Sequence, residues 1–298
     1  MLLSNSSRPA IFTVDAIDEH GVLQPTTIAG EHPLTIYLDK REIVTLMTLG
    51  AAPEYLTIGY LHNQRLIASV NDVAAVQVDW PTGAAAVTSV AMAATGRSYW
   101  EADDETGRTG ALQARLAKRT VTSGCGQGTM YGDLMSDIEA SQLANGSLID
   151  QATVYSVLDQ VRRYESIYKQ AGAVHGCALC SNDDSSEQTL RGQILFFVED
   201  VGRHNAVDAI AGWMLTEGVA GHDKLFYTTG RLTSEMVIKC AQMKIPILLS
   251  RSGLTQMGFD LAQRLNLTMI GRCQGRHYLL FTGRDRFVRA ANSAASNR

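Results

Sequence analysis

Hydrophobic positions fall into short runs in the first third of the chain and into runs alternating with helical stripes in the second half. Leu34 to Leu38 alternates in part, Asp39-Lys40 can turn, and Glu42 to Met47 can return as a hairpin. Pro53 opens a predicted helix over Glu54 to His62, with proline in the first-turn position. Val76 to Trp80 and Ala85 to Met92 read as two more strands split by Pro81-Thr82-Gly83. Thr95 to Gly110 turns polar and acidic, the pattern of a solvated linker. After about residue 120, helical patterns run from Asp133 to Leu143 and from Asp150 to Gln170, the latter closed by Gly172. Strand and helix then alternate three times: Ile194–Val198 with a helix from Asn205, Leu225–Thr229 with one from Thr233, and Ile247–Ser250 with one from Thr255. Thr268–Gly271 and Tyr278–Thr282 are the last predicted strands.

That rhythm predicts an α/β fold, a β-rich N-terminal region followed by a sheet of mostly parallel strands. The expected boundaries are 1–120 for the β-rich domain, 121–134 for a mobile loop, 135–290 for the α/β domain and 291–298 for a loose tail. The 298 residues, 45% apolar, can bury ample core. A formal charge of −4 argues against a general affinity for nucleic acid. No apolar run is long enough for a membrane span, and the start is too short in apolar residues for a signal peptide. Five cysteines, an odd number in a long chain, favour free thiols and a cytoplasmic location.

The strand-to-helix turns hold the first candidate chemistry. Glu199-Asp200-Val201-Gly202-Arg203-His204-Asn205-Ala206-Val207-Asp208 puts six polar or charged groups where a strand hands over to a helix, and ligands of open α/β sheets bind at such turns. A capped turn with a surface ion pair is the plain alternative. The second turn runs Thr229-Gly230-Arg231-Leu232-Thr233-Ser234-Glu235, and the third Ser250-Arg251-Ser252-Gly253. Each pairs a glycine, for close backbone approach, with an arginine suited to bidentate phosphate contact. Arg203, His204, Arg231 and Arg251 are thus candidate anion ligands, and Arg272 and Arg276 would extend the same edge.

Thr122-Ser123-Gly124-Cys125-Gly126-Gln127-Gly128 is the second candidate. Three glycines in five residues free the backbone around Cys125, and Arg115, Lys118 and Arg119 upstream would favour a thiolate. A thiolate on a swinging loop suits covalent carriage of a group between sites. Gly126-Gln127-Gly128 is not a dinucleotide fingerprint, because its third glycine position holds Tyr131. His175-Gly176-Cys177-Ala178-Leu179-Cys180 offers zinc ligand types, but the deaminase His-x-Glu is absent and no fourth ligand is evident. If the segment were helical, Cys177 and Cys180 would share a face and serve as core.

Together these blocks resemble the formate dehydrogenase accessory sulfurtransferases, the FdhD family. The resemblance runs from Glu31 to Thr282 through Glu31-His32-Pro33-Leu34, the Cys125 loop, Gly172-Ala173-Val174-His175, the Glu199–Asp208 block, Thr229–Val237, Ile245-Pro246 and Ser250-Arg251-Ser252. It implies a sulfur carrier that takes a persulfide on Cys125 from a cysteine desulfurase. The sulfur would go to molybdenum bis(molybdopterin guanine dinucleotide), bound as substrate, for formate dehydrogenase. It also implies a homodimer and a cytidine-deaminase-like C-terminal fold without the zinc site. The family's cofactor-binding segment falls on Arg272, Cys273, Gln274, Gly275, Arg276 and His277, which keep part of the usual aromatic-and-arginine pattern. His175, His204 and Glu199 become candidates for positioning or proton handling. Gly128 stands where the family often has a second cysteine, and Cys177 and Cys180 are additional. No nucleic acid, membrane or resident metal is expected. A cofactor-binding chaperone without sulfur chemistry and a zinc-dependent deaminase-like hydrolase are the rival readings.

Overall fold

The computed structural model describes residues 1–98, 100, 143, 146–182 and 190–289. The Cys125 loop, the helix expected over Asp133 to Leu143 and the tail from 291 lie outside the described residues. In chain order the described strands are β1 (Leu2–Leu3), β2 (Ile11–Ile17), β3 (Leu23–Ala29), β4 (His32–Leu38), β5 (Arg41–Thr48), β6 (Val73–Asp79), β7 (Ala84–Ser89), β8 (Ile149–Asp150), β9 (His175–Ser181), β10 (Ile194–Asp200), β11 (Lys224–Thr228), β12 (Ile247–Ser250), β13 (Thr268–Gln274), β14 (His277–Leu280) and β15 (Phe287–Val288). The helices are α1 (Pro53–Asn63), α2 (Val90–Thr95), α3 (Gln151–Arg163), α4 (Ile167–Ala171), α5 (Arg203–Thr216), α6 (Ser234–Gln242) and α7 (Gln256–Arg264). They fall into two units. One takes Met1–Met135, Glu165–Cys177 and Phe197–Val219, the other Ser136–Tyr164, Ala178–Phe196 and Ala220–Arg298.

In the first unit a five-stranded sheet has the order β1-β6-β7-β4-β5. The expected hairpin is β4–β5, pairing Leu34 with Leu46 and Ile36 with Val44. Leu34, Ile36 and Leu38 are fully buried at alternate positions, which fixes the register, since a one-residue slip would expose all three. Asp39 (φ 46°) and Lys40 (φ 68°) make the turn in left-handed backbone. The buried Asp39 carboxylate accepts from the Ser89 N–H (2.8 Å) and Oγ (2.6 Å). Ser89 in turn caps α2 by accepting from the Met92 N–H at 3.0 Å. The strand expected to continue to Met92 therefore stops at Ser89 and becomes helix.

Helices α1 and α5 cross at two glycines. A Cβ on Gly59 would stand 1.7 Å from the Asp208 carbonyl oxygen, and one on Gly212 would stand 1.9 Å from that of Tyr55. The hairpin β2–β3, with Phe12 opposite Ile28, was not foreseen, because Pro25 and the exposed polar positions obscure its period. The single helix expected from Asp150 to Gln170 is broken at Tyr164–Ser166 into α3 and α4. Ser166 caps the second piece, and Gly172 (φ 64°) closes it as expected.

In the second unit β11, β12 and β13 are parallel neighbours, with Thr228 beside Ser250 and Leu249 beside Ile270, and β14 returns antiparallel. Within this unit these four strands run in the order β11-β12-β13-β14. Leu225, Phe226, Ile247, Leu248, Leu249, Met269 and Ile270 have no exposed surface, as near-continuous apolar runs in a parallel sheet require. The mixed α/β class agrees with the sequence reading. His175–Ser181 is strand, not helix, so Cys177 and Cys180 point to opposite faces.

Candidate functional site

In the first unit the decapeptide that begins at Glu199, in the last two residues of β10, is a fastening device. The Glu199 carboxylate accepts from the Ile167 N–H at 2.6 Å and the Tyr168 N–H at 3.2 Å, two of the orphan donors at the start of α4. The Asp200 carboxylate accepts from Thr48 Oγ1 (2.5 Å) and the Leu49 N–H (3.0 Å) on one oxygen. Its other oxygen accepts from the Gly202 N–H (2.9 Å) and Asn205 Nδ2 (2.8 Å). Asn205 Nδ2 also donates to the Met47 carbonyl at 2.7 Å, and Asn63 Nδ2 donates to Asp208 at 2.6 Å. Burial pushes both the Glu199 and the Asp200 carboxyl above the usual range, while the donors pull the other way. Arg203 and His204 lie in the first turn of α5, only 6% and 3% exposed. His175 begins β9 and is half-buried.

In the second unit the two other glycine–arginine turns are stitched together. The Arg251 N–H donates to the Thr228 carbonyl (3.1 Å), the Leu232 N–H to the Gly253 carbonyl (3.0 Å) and the Thr255 N–H to the Leu232 carbonyl (3.1 Å). Buried Ser250 donates its hydroxyl to the Gly230 carbonyl at 2.6 Å and accepts from the Ser252 N–H at 2.9 Å. The Arg272 N–H donates to the Ser252 carbonyl at 2.9 Å, drawing the end of β13 to the same edge. Arg231, Arg251 and Arg272 are all exposed there, past the C-terminal ends of β11 and β12 and the central part of β13. Arg272 holds left-handed backbone (φ 54°), where the β13–β14 register shifts. This places three of the sequence's arginines along one edge of parallel strands, the arrangement that suits a phosphorylated ligand. Glu235 from the second turn is buried 3.9 Å from Lys239 and serves the helix.

The segment Arg272–His277 forms the end of β13 and its turn into β14. Arg272, Gln274, Gly275, Arg276 and His277 are exposed. Cys273 points inward, 2% exposed, with its thiol 3.6 Å from the Ile270 carbonyl and burial pushing its pKa up to about 12. Beside the turn lies a cavity of about 480 Å3 lined by Gln151, Tyr155, Arg276, His277, Tyr278, Phe287 and Arg289 among others. That size holds a nucleotide-sized ligand. The aromatic rings meet edge-on or tilted: Tyr155 with Tyr278 at 6.1 Å, Tyr278 with Phe287 at 5.7 Å. Sequence reading found Arg276 and His277 but missed Gln151, Tyr155, Phe287 and Arg289. The signal for the first two was the i, i+4, i+8 row Gln151, Tyr155 and Asp159, none of them among the buried residues of α3.

Four of the five cysteines, Cys177, Cys180, Cys240 and Cys273, are buried. Desolvation raises the Cys180 thiol far above its ordinary value. Among the described residues no three His, Cys, Asp or Glu side chains gather as metal ligands, nor is any helix long and apolar enough to cross a membrane.

Residues 29–288 match the model of the FdhD/NarQ family. A protein of Listeria innocua named sulfur carrier protein FdhD is 28% identical over 265 residues, covering 88% of this chain and 92% of its own. One of the same name from Bacillus subtilis is 27% identical over 257 residues, covering 86% and 88%. A crystal structure described as a formate dehydrogenase accessory protein of Desulfotalea psychrophila superposes with a TM-score of 0.69 at 26% identity, covering 93% of this chain and 98% of that one.

Proposed function

We infer, from the premise that this chain belongs to the FdhD/NarQ family, that it is a sulfur carrier serving formate dehydrogenase. The observation that carries the finer reading is the burial of four thiols. A persulfide carrier must expose its sulfur to two partners in turn, and Cys177, Cys180, Cys240 and Cys273 are closed off from both. Cys125, within its glycines, remains as the carrier. Its thiolate attacks the outer sulfur of a persulfide on a cysteine desulfurase. The donor's S–S bond breaks, the donor cysteine leaves as a thiolate, and a persulfide forms on Cys125 with no net oxidation.

The sulfur's destination is the molybdenum of the bis(molybdopterin guanine dinucleotide), a substrate rather than a resident group. The exposed arginines at the strand ends suit its pyrophosphates, and the aromatic cavity beside Arg276 and His277 suits a guanine ring. Arg203 and His204, being buried, act here by shaping the turn after β10. A deaminase-like fold of the C-terminal part and a homodimer are further parts of the proposal. The test is incubation of the protein with cysteine and a desulfurase, followed by intact-mass analysis. One added sulfur (about 32 Da) on the wild type and none on Cys125→Ser is the expected result. Sulfur still present on the variant overturns Cys125 as the carrier. A Cys125→Ser protein that still supports formate dehydrogenase activity would favour a chaperone without sulfur chemistry.

A further inference from the structure

We propose that Tyr155, on α3, is a positioning residue that presents Arg276 to the cofactor's anionic portion, and that Asp159, one turn further along, restrains the same arginine. This rests on the reading that the β13–β14 turn binds the guanine dinucleotide. Arg276 follows Gly275 (φ 59°) on an exposed turn, and a guanidinium there on its own would sweep a wide arc. Tyr155 holds it twice. Its ring lies under the guanidinium, with 4.5 Å from the carbon to the centroid, and its hydroxyl donates to the Arg276 carbonyl at 3.2 Å. The first contact fixes the head group and the second fixes the backbone that carries it. The Arg276 side chain nevertheless stays 70% exposed, within reach of a ligand from solvent.

Gln151, one turn earlier on the same face, donates to the Tyr278 hydroxyl at 3.2 Å. The row of α3 side chains therefore braces the hairpin at its turn and along β14. Asp159 acts in the opposite sense. Its carboxylate lies 3.8 Å from Arg276 and 3.3 Å from Arg162, so an arriving phosphate competes with it for the Arg276 charge. Tyrosine preorganises the arginine, and aspartate sets how readily the arginine exchanges partners.

Binding of guanosine diphosphate to the full chain, measured by calorimetry with inorganic pyrophosphate as a second probe, tests this. Tyr155→Leu should weaken guanosine diphosphate about tenfold, the loss of one cation–π contact and one hydrogen bond. Tyr155→Phe, which keeps the ring, should weaken it about twofold to threefold. In an Arg276→Ala background Tyr155→Leu should have no further effect on inorganic pyrophosphate, which makes no use of the aromatic cavity. Asp159→Asn should tighten both probes by about twofold or more. Tyr155 matters only as packing if Tyr155→Leu weakens binding equally with and without Arg276, and that result overturns the proposal, as does wild-type affinity in Tyr155→Leu. Wild-type affinity in Arg276→Ala instead removes the reading of the turn as the binding segment, and the proposal with it. Unchanged melting temperatures for Tyr155→Phe and Asp159→Asn keep the comparison free of folding effects.

Discussion

Thr48 and Asp200, 152 positions apart in the chain, meet at 2.5 Å in the interior of the first unit, the hydroxyl donating to the carboxylate. The contact joins the end of β5 to the turn after β10, and three further donors converge on the same carboxylate. The acid at the head of this candidate ligand turn is thus a clamp between distant segments.

Asp200→Ala should cost about 3 kcal/mol or more, because it strands buried donors on Thr48, Leu49, Gly202 and Asn205. Thr48→Val removes one donor and should cost about 1 kcal/mol. Urea denaturation gives both values, and equal costs would contradict the hub assigned to Asp200.

Gly59→Ala and Gly212→Ala should each destabilise the first unit by about 3 kcal/mol or more, through overpacking against helix backbone that cannot retreat. Gly146→Ala, whose Cβ would meet nothing within 4 Å, is the control. A thermal melt of Gly212→Ala indistinguishable from that of the control would rule out the close crossing.

His62 gives a pH dependence of definite sign. Burial holds its pKa below the ordinary value of 6.5. The folded state therefore binds fewer protons than the unfolded one between the two values, so His62 contributes fully above about pH 6.5 and loses its contribution as pH falls through the lowered folded value. The stability gap between wild type and His62→Gln should narrow from pH 7.5 to pH 5. A gap that widens on acidification would contradict the burial assigned to the ring.

Thiol labelling separates the cysteines without any partner protein. In native buffer Cys125 should react with a maleimide in minutes, while Cys177, Cys180, Cys240 and Cys273 wait for denaturant. Peptide mapping reads this site by site. Native labelling of Cys273 at the rate of Cys125 would contradict its 2% exposure.

Local order was legible in the sequence wherever a short stretch decides its own conformation. The Asp39-Lys40 turn, the Pro53 helix and the apolar strands Leu225–Tyr227 and Ile247–Leu249 follow from turn chemistry and periodicity that act over a few residues. The Gly-Arg pairing of the second and third turns was legible too, and their arginines do stand at neighbouring strand ends. The cysteine-bearing loop and the ordered blocks carried the family, because chemistry of that kind resides in residue types at fixed spacing.

Tertiary structure decided what depends on partners far along the chain. The decapeptide from Glu199 could be a capped turn or a pocket wall until the N–H groups of Ile167, Tyr168, Leu49 and Gly202 arrive on the carboxylates of Glu199 and Asp200. Val90 to Met92 could extend a strand until Asp39 fixes Ser89 as a helix cap. Nothing near Tyr155 in the chain sets its role; Arg276, 121 positions later, does so by lying over its ring. Periodicity and propensity report the short-range preferences of the backbone. Which acid is satisfied, which thiol is closed off and which arginine is held ready are properties of long-range contacts, and those exist only once the chain has folded.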